Sequence, residues 1–173
     1  APPPPKVTVS KPVVEEVVEW DEYTGRLEAV DTVDVRARVS GYLESIHFKD
    51  GQMVKKGDLI FVIDPRPYRA ELDRALAQSK LSKARLSLAE KQLRRAKHLL
   101  SERVISKEAA DTMVSDEQVA HASVEMAQAD VNAARLNVEF TQVRAPIPGR
   151  ISRKYVTEGN LINGGINGTL LTT

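Results

Sequence analysis

One stretch of this chain is close to a copy of another. Sliding the sequence against itself by 108 positions lays Val35-Arg36-Ala37 on Val143-Arg144-Ala145. The same shift lays Gly41, Gly51 and Gly57 on Gly149, Gly159 and Gly165. Between the glycines Val39 meets Ile147, Leu43 meets Ile151, Asp50 meets Glu158 and Val54 meets Ile162. A repeat at a fixed offset constrains a fold more than composition does, because each copy is one supersecondary unit that needs its partner to bury an apolar face. Val35, Ala37 and Val39 alternate with Arg36 and Arg38, as a half-buried strand does. Gly41 and Gly149 suit a bulge or a close backbone approach. Lys49-Asp50-Gly51, Thr157-Glu158-Gly159 and Lys56-Gly57-Asp58 read as turns. The last leads into Leu59-Ile60-Phe61-Val62-Ile63, a short buried strand, and Gly165 falls on the matching turn of the second copy. Two such halves related by approximate two-fold symmetry form a small sandwich.

The copies are separated by a stretch of different character. From about Pro67 to Phe140 there is no glycine and no further proline, and alanine, leucine and long charged residues dominate. Leu72, Ala75, Ser79, Ser82, Leu86, Ala89, Leu93, Ala96 and Leu100 recur at alternating intervals of three and four, the spacing of a coiled-coil seam. Val119, Ala122, Met126, Ala129, Ala133, Leu136 and Phe140 repeat that pattern. A second stripe lies beside it, Ala120, Val124, Ala127, Val131, Ala134 and Val138. Two adjacent stripes predict a helix with neighbours on more than one side. Asp64-Pro65-Arg66-Pro67 is a start signal, and Ser106 with Glu108 behind it caps a second helix. The expected helices, residues 67–102 and 107–140, are each about 50 Å long at about 1.5 Å per residue, far longer than the β module, so the pair projects from it. From Arg69 to Arg103 ten basic and four acidic side chains leave a net of +6, and from Lys107 to Glu139 two basic and seven acidic leave −5. That asymmetry favours an antiparallel pair, and side-by-side packing of neighbouring hairpins in a ring.

The expected organisation is therefore α+β. Residues 1–32 are a linker and strands of a partial β-barrel, with Val13, Val14, Val17, Val18, Trp20 and Tyr23 as the strand signal. Residues 33–64 are the first half of the repeat module, 65–140 the hairpin with its tip at 103–106, 141–166 the second half, and 167–173 the start of a further barrel strand. Ala1-Pro2-Pro3-Pro4-Pro5 reads as a linker, and no apolar run reaches the roughly 20 residues that span a bilayer. A net charge of +1 argues against nucleic acid as the main partner. The absence of cysteine removes disulfides and thiolate metal sites. His47, His98 and His121 stand apart from one another, and Met53, Met113 and Met126 form no cluster. No phosphate loop, nucleophile elbow or zinc-protease motif is present. No catalytic, cofactor or metal residue is expected.

The interrupted repeat resembles the periplasmic adaptors, or membrane fusion proteins, of tripartite efflux pumps of the AcrA/MexA type. The likeness runs from about Trp20 to Thr173. It is carried by Val39-Ser40-Gly41-Tyr42, Lys49-Asp50-Gly51, Val54-Lys55-Lys56-Gly57 and Ile63-Asp64-Pro65, then by Thr141 through Arg150 and Val156-Thr157-Glu158-Gly159. The resemblance implies a lipoyl-like sandwich split by the hairpin. It implies a periplasmic protein, anchored to the inner membrane by a segment or lipid outside these residues. It also implies a ring, a hexamer by analogy, between an inner-membrane transporter of the resistance-nodulation-division (RND) type and an outer-membrane TolC-like channel. The family's tip pattern, Arg-x3-Leu-x6-Ser, falls on Arg95, Leu99 and Ser106. An adaptor of a type I secretion or ABC exporter system is the alternative. A lipoyl or biotinyl carrier is a further one. It would need Lys55 or Lys56 to bear the group, but that pair sits in an earlier turn than the link between the halves.

Overall fold

The computed structural model describes all of residues 1–173, which divide into two units, Ala1–Asp31 and Thr32–Thr173. The first unit contains no helix or strand. This departs from the expected barrel strands around Val13 to Tyr23. Val13, Val14, Trp20 and Tyr23 are all at least 86% exposed. With no ladder partner, residues there satisfy none of the backbone pairing that defines a strand.

The second unit holds eight short strands and two helices. In chain order these are β1 (Val35–Arg36), β2 (Gly41–Ile46), β3 (Met53–Val54), β4 (Leu59–Ile63), α1 (Arg66–Ser101), α2 (Lys107–Phe140), β5 (Gln142–Arg144), β6 (Gly149–Arg150), β7 (Leu161–Ile162) and β8 (Leu170–Thr172). All strand pairs are antiparallel: β1 with β8, β5-β4-β2-β7 in order, and β3 with β6. The strands curl into a half-barrel around a core drawn from both copies of the repeat. Phe61, Leu43, Ile60 and Ile63 come from the first copy, and Ile162, Leu171, Ile151 and Ala145 from the second.

The repeat survives as paired hydrogen bonds. Leu43 N–H donates to the Asn160 carbonyl and Gly159 N–H to the Leu43 carbonyl. Their mates are Ile151 N–H to Gln52 and Gly51 N–H to Ile151. Side chains follow the same rule. Ile46 N–H donates to Glu158 Oε1 at 3.0 Å, and Lys154 N–H to Asp50 Oδ1 at 3.2 Å, so each half's acidic turn residue satisfies a backbone donor of the other. Gly51 and Gly159 sit at φ +78° and +86°, in the left-handed region where a side chain is strained. Gly57 and Gly165 match likewise at +92° and +107°. Gly41 and Gly149 differ. A Cβ on Gly41 would come within 2.8 Å of Ile63 Cγ2, whereas one on Gly149 would meet nothing, so close approach applies to the first copy alone.

The C-terminal residues are repeat, not a separate barrel strand. Leu170 pairs with Arg36 and Thr172 with Val35, as Leu59 pairs with Arg144 and Phe61 with Val143. Leu171 and Thr172 are wholly buried. The shift of 108 hides this because the turn before β8 is longer. Lys55 N–H caps on Asp58 three residues ahead, and Asn163 N–H caps on Thr169 six residues ahead.

α1 and α2 form one antiparallel hairpin, each about 50 Å long. Ser79, Ser82, Ala89 and Ala96 of α1 are buried against Ala110, Ala127, Val131 and Ala134 of α2. Of the two stripes on α2, the one through Ala127 is therefore the seam. The one through Val119 and Met126, each 67% exposed, faces away. Both stripes have heptad spacing, and side-chain size decides between them. Small residues facing each other let the helices approach closely, which Met126 and Leu136 would prevent.

The hairpin root is fixed at several points. Ile63 N–H donates to the Thr141 carbonyl at 2.8 Å, joining the chain where it leaves the module to where it returns. Tyr68 Oη donates to the Ser40 carbonyl at 2.5 Å, and the Arg38 guanidinium lies 5.0 Å from the Phe140 ring centre. Asp64, just before α1, accepts the Arg66 N–H at 3.0 Å and its guanidinium at 2.6 Å. Those hydrogen bonds from Arg66 hold the Asp64 carboxyl down to about pKa 2. The helix opens at Arg66, one residue before the expected start, with Pro67 in its first turn.

Candidate docking tip of the helical hairpin

At the far end of the hairpin α1 is closed by backbone hydrogen bonds. Leu99 and Leu100 lie in the last turn of α1, and Glu102 ends the helix. Arg103 then adopts φ +58°, its N–H donating to the Leu100 carbonyl at 3.0 Å, and Val104 N–H donates to the Leu99 carbonyl at 2.9 Å. This pair of bonds is a Schellman motif. Glycine or asparagine ordinarily fills its left-handed position; here an arginine does, at a cost of about 1–2 kcal/mol. Ser106 opens α2 with extended backbone, and its Oγ accepts the Ala109 N–H at 3.2 Å. Glu108 sits in the first turn, where the helix end is positive.

Arg95 and Leu99 are four residues apart and so stack on one side of α1. Arg95 is exposed and makes no hydrogen bond or ion pair within the chain, and Leu99 is 37% exposed. Ser106 lies across the turn with its hydroxyl proton free to donate. Val104, 65% exposed, adds apolar surface at the apex. The tip thus offers a cation, an apolar pair and a hydroxyl donor. That set suits a partner surface with carbonyl or carboxylate acceptors beside an apolar groove. The sequence names Arg95, Leu99 and Ser106 as docking residues and puts the tip at 103–106, but it does not announce the left-handed turn at Arg103. The Leu100-Ser101-Glu102-Arg103 run holds no glycine or asparagine to mark a helix end.

The other residues singled out lie elsewhere. Lys55 and Lys56 belong to the capped turn between β3 and β4, on the module. His98 and His121 each face a glutamate one turn on, Glu102 at 3.6 Å and Glu125 at 3.5 Å. His47 Nε2 lies 2.9 Å from Ser45 Oγ. The six repeat glycines all lie in the β module, remote from the tip in the chain.

Residues 31–173 match the family model described as the RND MFP (membrane fusion protein), barrel-sandwich hybrid domain. The efflux pump periplasmic linker BepD of Brucella suis is 38% identical over 172 residues, covering 99% of this chain and 43% of that protein. The multidrug resistance protein MdtA of Proteus mirabilis is 35% identical over 164 residues, 95% of this chain and 40% of that protein. The chain thus spans less than half the length of the curated relatives it matches. Among solved structures, a MacA-MexA chimera carrying the Pseudomonas aeruginosa MexA α-hairpin is similar at 32% identity and TM-score 0.56, over 84% of this chain and 48% of that one. MacA from Actinobacillus actinomycetemcomitans follows at 28% identity and TM-score 0.60, over 84% and 49%. On these matches the chain belongs to the RND membrane fusion protein family, its residues 31–173 forming the barrel-sandwich hybrid domain.

Proposed function

We propose that this chain is the working part of a periplasmic adaptor in a tripartite multidrug efflux pump. Its hairpin reaches an outer-membrane TolC-like channel, and its β module belongs to a ring, a hexamer by analogy, above an inner-membrane RND transporter. The family is one of structural linkers rather than enzymes. The observation that carries the reading is mechanical. A hairpin about 50 Å long, at about 1.5 Å per residue, stands on a small module and ends in a tip where exposed Arg95 makes no hydrogen bond or ion pair in the chain and Val104 adds uncovered apolar surface. Proton-driven chemistry belongs to the transporter, and the adaptor couples and seals. Membership of the RND branch favours that transporter over the type I secretion or ABC exporter alternative. The periplasmic linker and multidrug resistance names of the relatives support the compartment and the cargo class.

Arg95→Asp and Leu99→Glu test the tip. Both residues are exposed, so each variant folds as the parent does. Both are expected to abolish drug export by cells that depend on the full protein. Wild-type export from the two variants would exclude tip docking.

A further inference from the structure

The two halves of the module carry matching arginines. Arg36 and Arg144 are 108 positions apart, and so are the acceptors beside them, Asp34 and Gln142. Arg144 donates to the Gly57 carbonyl and to Gln142 Oε1, both at 2.9 Å. Arg36 donates to the Gly168 carbonyl at 3.3 Å and to Asp34 Oδ2 at 3.0 Å. Gly168 stands three residues beyond Gly165, the direct mate of Gly57, as the longer second turn requires. Each guanidinium is thereby held through two of its five N–H donors, and the other three are left for a ligand.

Both arginines line one cavity of about 470 Å3, formed within residues 32–173 between β1, β5 and the end of α2. A third arginine, Arg38, lines it too. Its guanidinium lies over the Phe140 ring, 5.0 Å from the centre, and makes no hydrogen bond or ion pair within the chain. A guanidinium placed on a ring face keeps its edge donors for a planar acceptor such as a carboxylate. Half-buried Val35 and Val143 give the cavity apolar walls. Two carboxylates share the lining with the three arginines. Asp34 is engaged by Arg36, whereas Glu139 forms no ion pair.

We propose that this cavity binds a small organic acid, one anionic group on a flat apolar body. Arg38 and Arg144 hold the carboxylate or sulfonate, and the body lies against Val35 and Val143. Charge and shape select that class together. A cation would meet three guanidiniums, and an inorganic anion would leave the apolar walls uncovered. The volume is that of a drug-sized pocket, at the lower end of about 300–1,000 Å3. The site does not depend on tip docking, since every residue of it belongs to the module or to the root of the hairpin.

1-Anilinonaphthalene-8-sulfonate tests the site, because it joins one sulfonate to flat rings and brightens when buried. N-Phenyl-1-naphthylamine, the same rings without the sulfonate, is the control. In the full protein, Arg38→Gln is expected to weaken binding of the sulfonate about tenfold, the scale of a hydrogen bond to a charged group, and to leave the uncharged probe unchanged. Glu139→Gln removes a repelling carboxylate from the lining and is expected to tighten binding of the sulfonate severalfold. A gain of affinity cannot come from a failure to fold, so the second variant reports even where the first is disturbed. Unchanged affinity for the sulfonate in both variants, or equal weakening of the two probes by Arg38→Gln, would overturn the site.

Discussion

Arg103 holds a backbone position that glycine fills without strain. Its φ of +58° closes α1, and nothing within the chain bonds its side chain. Arg103→Gly is expected to stabilise the protein by about 0.5–1 kcal/mol, read as a higher urea midpoint at unchanged slope. A lower midpoint would mean that the arginine makes a contact the backbone geometry does not account for. Asp64 is a residue-scale device of another kind. Hydrogen bonds from Arg66 depress its pKa to about 2, so its contribution is present above the ordinary carboxylate value and lost as pH falls through about 2. Melting temperature is expected to fall more steeply between about pH 4 and 2 in the wild type than in Asp64→Asn. Parallel profiles would show that the pairing is not coupled to folding. Single residues were legible where one side chain has one job, as with Ser106 at its cap. Arg103 was not, because its role comes from a dihedral angle and no residue type announces it.

Both helices, and their break near Ser106, could be read from periodicity and from the absence of glycine and proline between Pro67 and Phe140. The seam could not. Two stripes on α2 share heptad spacing, and volume across the interface chose between them. Ala127 is 3% exposed, while Ala129, on the outer stripe, is exposed. Ala127→Leu overpacks the seam and is expected to cost about 1–3 kcal/mol, whereas Ala129→Leu is expected to stay within about 0.5 kcal/mol. Thermal unfolding of the two variants decides it, and the reverse order would return the seam to the first stripe. The strands were legible as a repeat more than as strands. Several are only two residues long, too short for alternation to register, yet the shared glycines placed both copies.

Residues Thr32–Thr173 are one two-halved β module with a helical hairpin inserted between its halves. The internal repeat predicted the module, and the reciprocal bonds of Ile46 with Glu158 and Lys154 with Asp50 show why it holds, since each half completes the other. The eighth strand is legible in the sequence as a strand but not as part of the repeat, because three extra residues in one turn break the register. The barrel strands expected within residues 1–32 do not form, because apolar side chains without a surface to cover do not make strands. The functional reading depends on scale as well. No single residue of the tip is diagnostic, but an exposed cation and apolar surface at the end of a long hairpin are suited to reaching another assembly.

The most direct test of that claim is a photo-reactive amino acid placed at Leu99 in the full protein, in cells exporting drug. The account predicts covalent capture of the outer-membrane channel from Leu99 and none from the same probe at exposed Met53 on the β module. Capture of the channel from Met53 with none from Leu99 would contradict it.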